Sequence, residues 1–238
     1  MGEGRAGGAP VNLFLEAIAW LTDPAQWSGG NGIPIRLAQH LAITVVVVVA
    51  ASAISLPVGV LIGHHRRGAA FIGAITGGAR AIPTLGLLTL FALWLGIGLA
   101  APVLALIVLA IPSILAGAYS GITALDPSIS ASATAIGMRR RQVMLGVEVP
   151  LAAPVIIGGI RAATLQVVAT ATLAAYVADA GLGRYLFTGL KSRDYAQMLG
   201  GALLVAGLAL AFEIVLAIVQ RQAALRISRT AGSQPVHS

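Results

Sequence analysis

The sequence predicts an all-α fold, a polytopic membrane bundle of about five transmembrane helices, on three observations. First, 58% of the 238 residues are hydrophobic and 10% are charged, well under half the charge of a soluble domain. Second, the apolar residues form continuous runs such as LAITVVVVVAASAISLPVGVLIG over 41–63. A barrel strand would alternate over about ten residues, and only helices or closed barrels satisfy every backbone group in lipid. Third, the charges gather in short loops and at the chain end.

Residues 1–35 are expected to be extracytoplasmic. MGEGRAGGAPVNLFLEAIAWL opens with mixed charge and holds Glu16 in a short apolar run, unlike a cleavable signal. Residues 11–21 are too short to span, and with Trp20 and Trp27 nearby they predict an interfacial helix on the outer face. The transmembrane domain is 36–220. Span one is 37–63, free of Asp, Glu, Lys and Arg and closed by HHRRG. From Ala81 to Leu125 no charge occurs. That length would be about 68 Å of helix, too long for one crossing. A break at GIGLAAP therefore gives span two over 70–97 and span three over 102–122. Span four follows Pro150 to about 177, and span five covers 197–220.

Charge orients the bundle. Segments 64–69, 123–150 and the tail 221–238 carry eight arginines against Asp126 and Glu148, a net of +6. The other side balances Arg5, Arg36, Arg184, Lys191 and Arg193 against Glu3, Glu16, Asp23, Asp179 and Asp194. The N-terminus is thus expected outside and the C-terminus in the cytoplasm. The chain's +7 sits in loops without interleaved aromatics, so no nucleic-acid partner is expected. With no cysteine, disulfide and thiol chemistry are excluded.

The cytoplasmic loop 123–150 is punctuated. Asp126 can cap a helix, Pro127 suits its first turn, and Gly137 can end it. A second short helix, RRRQVMLGVEV, is expected to stop before Pro150. Helix, glycine bend, helix and proline make a rigid knob. A positively charged loop that merely fixes topology is the other reading, and it leaves the small residues of the first helix unexplained.

Those small residues carry a resemblance. Ala131, Ser132 and Ala133, with Gly137 six positions after the first and Pro150 thirteen later, resemble the cytoplasmic loop of ABC importer membrane subunits. The glutamate that opens that motif is Ala131 here. HLAITVVVVVAASAISLPVGVLIGHHRR, AIPTLGLLTLFALWLGIG, AYSGITALDP and PLAAPVIIGGIRAATLQVVATATLAAYVADAGLG are similar to the permeases of the glycine betaine/choline (osmoprotectant) branch, over about 36–220. The resemblance implies a type I, binding-protein-dependent importer permease of the prokaryotic inner membrane, multi-pass in the lipid bilayer. Its implied partners are two ABC ATPase subunits, a second permease copy or a related permease, and an extracytoplasmic substrate-binding protein. Its implied substrate is a quaternary amine such as glycine betaine, choline or carnitine. An amino-acid importer, for methionine for example, shares the five-span plan, and a stand-alone channel or secondary transporter would leave the knob unexplained.

No catalytic residue and no metal are expected. The only lysine, Lys191, follows Leu190, so no G-x-x-x-x-G-K-[ST] phosphate loop exists. The chain should bind no cofactor, ATP and magnesium sitting on the partner ATPase. The resemblance places ATPase coupling at Ala131, Ser132, Ala133, Gly137, Met138, Arg139, Arg140, Arg141 and Pro150. It places Pro83 and Thr84 near the translocation path, although Pro83 also fits an ordinary helix kink. Three charges fall within spans. Arg80 is expected to pair with Glu213 in a gate or packing role, and Arg161 to snorkel to the interface. Gly59 and Gly63, and Gly117 and Gly121, are spaced for close helix contact. The scattered aromatics form no evident cage, so selectivity is expected in the external binding protein.

Overall fold

The computed structural model of the chain describes residues 10–232, and within them the side chains of 12–79 and 81–227. The described residues are helical, with no strand among them. The helices are α1 (Pro10–Thr22), α2 (Ile33–His64), α3 (Ala69–Ala81), α4 (Thr84–Leu95), α5 (Ala100–Thr123), α6 (Pro127–Ala135), α7 (Arg140–Val143), α8 (Val149–Thr170), α9 (Ala174–Ala178), α10 (Gly183–Ser192) and α11 (Tyr195–Gly232). Four stretches are long and apolar enough to cross a membrane: Ile33–His64, Ala100–Thr123, Arg140–Ala178 and Tyr195–Ile227. A fifth arises if the broken pair α3 and α4 counts as one crossing. The five-valine run of α2 is helical despite the β preference of valine, because lipid leaves the backbone no other donor or acceptor.

The breaks have local causes. Ile82 precedes Pro83 and takes φ −74°, ψ 119°, because a following proline pushes its neighbour out of the helical region. Span two is therefore two helices, with Pro83 at the break. Between α4 and α5, Gly96 and Gly98 take φ of 82° and 148°, which side-chain-bearing residues rarely adopt. The expected stop before Pro150 does not occur. A π turn over Met144–Glu148 joins α7 directly to α8, and the Val149 N–H bonds back to the Met144 carbonyl. Proline offers no N–H to the carbonyl four residues back, and the wider turn lets the chain run past it.

The chain divides into two units, each assembled from three stretches. Of the described residues, one unit holds 10–46, 85–106 and 167–210. Its core is Ile33, Leu182 and Tyr185, with Trp20, Leu37, Leu204 and Leu208 packed on it. Trp20 meets Tyr185 edge-on at 5.1 Å between ring centres. The short apolar helix expected over 11–21 is α1: Ala17 is buried, while Phe14, Leu15 and Ile18 remain exposed.

The other unit holds 47–84, 107–166 and 211–232. Val60, Ala118, Ile122, Ala152 and Ile156 form its core. Here α5 lies between α2 and α8 on the glycines named above. A Cβ on Gly117 would stand 2.7 Å from the Cα of Gly159 on α8, and one on Gly59 would stand 2.7 Å from the Cβ of Ala118. Gly63 abuts Ile122, and Gly121 abuts Ala152. Backbones approach this closely only where side chains are absent.

Candidate functional site

The punctuated loop folds as its sequence suggests up to Gly137. The Asp126 carboxylate accepts the Ser128 N–H at 2.8 Å and caps α6. That bond, and then the Ser128 side chain, hold the Asp126 carboxyl below its ordinary value. At the other end Met138 N–H reaches Ala133 O at 3.2 Å and Gly137 N–H reaches Thr134 O at 2.9 Å, with Gly137 at φ 91°. This is a Schellman ending. Arg139 N–H then donates to Gln142 Oε1 at 2.7 Å and starts α7.

The residues assigned to coupling divide by exposure. Ala131, Ser132, Gly137, Arg139, Arg140 and Arg141 are exposed, and so is Ile136 at 81%, which the sequence reading missed. Ala133 is buried beneath α6, and the Met138 side chain reaches back towards Gly146. Pro150 is exposed and lines an apolar groove of about 840 Å³ with Leu151, Val219 and Ile227. Small residues, an isoleucine and three arginines thus share one accessible knob. Beneath it, Glu148 is 4% exposed and accepts from Ser130 on α6.

Within the apolar helices the ion pair is not the expected one. Glu213 on α11 is held by Arg161 on α8: Nε reaches Oε2 at 2.8 Å and Nη2 bonds Oε1. Arg161 also donates to Gln220 Oε1 at 2.9 Å, and Gln220 Nε2 donates to the Pro154 carbonyl at 2.9 Å. Arg161 therefore joins two helices rather than only reaching for an interface. The Arg80 side chain lies outside the described residues, and both oxygens of the carboxylate expected to meet it are already engaged. Thr84 opens α4 directly after Pro83. Gln220 lies seven residues after Glu213, on the same helix face, which was the available signal.

A second polar cluster escaped the sequence reading, which counted Arg36 as a loop charge. Arg36 is 5% exposed, donates to Asn31 Oδ1 at 2.7 Å and bonds the Asp179 carbonyl. Arg184 Nε contacts Asp179 Oδ1 at 2.9 Å. His40 donates through Nε2 to Val168 O and accepts the Leu182 N–H at Nδ1. These contacts pin the turn between α9 and α10, where Asp179 has φ 51°. Among the described residues no group of His, Cys, Asp and Glu is arranged to hold a metal ion.

Residues 55–229 match the family described as binding-protein-dependent transport system inner membrane component. The chain belongs to that family. It is a multi-pass inner-membrane component of an ABC importer. Among curated relatives of this permease family, it is 32% identical over 195 residues to the choline transport system permease protein OpuBB of Bacillus subtilis (strain 168), covering 82% of this chain and 90% of that one. It is 32% identical to the carnitine transport permease protein OpuCB of Listeria monocytogenes, covering 79% and 86%. The fold matches the inward-facing MetNI methionine ABC transporter with a TM-score of 0.72 at 23% identity, over 85% of this chain and 99% of that one. The permease fold is thus that of type I ABC importers.

Proposed function

We propose that this permease subunit forms the membrane path of an ATP-driven importer for quaternary-amine osmoprotectants: glycine betaine, choline, carnitine or a similar solute. The observation that carries the substrate class is the 32% identity, over most of both chains, to the Bacillus subtilis choline permease. Two permeases, two cytoplasmic ATPases and an extracytoplasmic binding protein make the working assembly. The exposed knob from Ala131 to Arg141 docks on the ATPase, offering small residues for close approach and arginine forks for partner carboxylates. ATP-driven closure of the ATPases then moves the knobs and switches the bundle between its inward and outward openings.

This chain passes its cargo rather than gripping it. Quaternary ammonium groups are held over aromatic faces, and the ring pairs here, such as Tyr176 with Phe187 at 5.8 Å, are two-membered contacts among the described residues. The binding protein supplies selectivity. The experiment is uptake into proteoliposomes holding the permease and its ATPase, with the binding protein added outside. ATP-dependent uptake of labelled choline or betaines, with methionine excluded, is expected. Methionine uptake would favour the amino-acid importer, and flux without ATP or binding protein would favour a channel.

A further inference from the structure

HHRRG closes span one, and by sequence it is a charged loop that sets orientation. The folded chain gives two of its residues specific partners. His64, the last residue of α2, places Nδ1 2.6 Å from Glu148 Oε2. Ser130 on α6 donates to the other oxygen, Oε1, at 2.7 Å. A carboxylate removed from water is costly unless its oxygens are bonded, and here each oxygen has its own partner. For the His64 contact to attract, Nδ1 must carry the hydrogen. Two residues on, Arg66 donates through Nη1 to Thr123 O at 3.2 Å and through Nη2 to Leu125 O at 2.5 Å. These carbonyls lie where α5 ends and the cytoplasmic loop begins. Arg66 adopts φ 52°, a conformation that a residue with a side chain holds only when its surroundings fix it.

We infer that His64, Arg66 and Glu148 form a clasp holding both ends of the coupling segment, with Ser130 as its grip on α6. Glu148 is the positioning residue at its centre. The inference rests on the docking reading above and says how a force on the knob reaches the membrane. The buried residue of α6 is Ala133, in its last turn, a side chain of one carbon. The polypeptide joins at 124–126 and 136–139 would let so short a helix pivot. The bond from Ser130 to Glu148 ties α6 to the π turn that leads into α8, and His64 ties the same carboxylate to α2. Displacement of α6 is then shared by both helices instead of being lost in a hinge.

The test uses the full chain in nanodiscs and the permease–ATPase complex in proteoliposomes. Ser130→Ala removes the grip at an exposed helix where alanine is well tolerated, and Ser130→Thr restores the hydroxyl. Glu148→Ala alone would leave His64 without its partner, so the paired change His64→Leu with Glu148→Leu removes the clasp under apolar cover instead. Amide exchange over 127–138 is expected to rise on the order of tenfold in Ser130→Ala, to rise in the paired variant, and to return in Ser130→Thr. Substrate transported per ATP hydrolysed should fall several-fold in the first two and recover in the third, with the ATPase still co-purifying. Unchanged exchange overturns the grip, and faster exchange with unchanged transport per ATP overturns the transmission. If the ATPase is absent even from the unsubstituted complex, the docking reading fails and the transmission with it. The exchange measurement still decides the grip in that case.

Discussion

Arg161 and Glu213 face each other on α8 and α11, in apolar segments where a lone charge is costly. Removing either one strands the other, whereas removing both exchanges a pair for apolar contact. Arg161→Leu and Glu213→Leu are each expected to lower the yield of assembled permease, and the double change to recover most of it. Size-exclusion yield from equal amounts of membrane checks this, and losses that simply add would argue against the pair. The sequence showed that three charges lay within spans but not which helices stood side by side. Adjacency is set by packing: Arg80 was the expected partner of Glu213, and the structure places Arg161 there instead, bonded further to Gln220. Glu148 was visible only as one acid of the charged loop, because its partner His64 lies 84 residues away in the sequence.

At the scale of elements, the ends of helices were legible and their continuity was not. Asp126 and Gly137 act through bonds to residues a few positions away and Pro127 through its own fixed φ, so a local reading suffices. Pro150 is compatible both with a stop and with the π turn that carries the helix past it, so the residue by itself does not select between them. The bend at Gly137 leads to a test in which sterics play no part, since nothing lies within 4 Å of where its Cβ would be. Gly137→Ala is expected to cost about 1–2 kcal/mol at that bend through its backbone alone. Gly137→Asp adds a charge to the docking face. Both should reach the membrane at normal levels, with ATPase co-purification and uptake reduced, and more so for Asp. Normal uptake with full ATPase retention in both would sink the docking reading. Gly117 gives the contrasting case. Gly117→Leu must push α5 away from α8 and is expected to cost roughly 1–3 kcal/mol, read as earlier thermal aggregation in detergent. Unchanged thermal behaviour would mean that the close contact with Gly159 does not matter.

For the whole molecule, the number of crossings decides the topology, and α3 with α4 decides the number. These helices have 13 and 12 residues, about 20 and 18 Å, each too short for a hydrocarbon core of about 30 Å. Together they either cross once or turn back. Charge separates the two. Arg66 and Arg67 precede the pair, and Arg139, Arg140 and Arg141 follow the next span, α5. If the pair crosses, both arginine groups lie on one side; if it turns back, α5 carries the second group to the opposite face, against the positive-inside rule. A crossing is expected, with five spans and the termini on opposite sides. The chain has no cysteine, so single cysteines report cleanly. Ile97, 93% exposed between α4 and α5, is the informative site, beside Gly2 and Ser238, which lie outside the described residues. In intact cells an impermeant thiol reagent should label Ile97→Cys and Gly2→Cys, and should reach Ser238→Cys only after permeabilisation. An Ile97→Cys variant protected until the cells are opened would show that the pair turns back, and the five-span arrangement would fall with it.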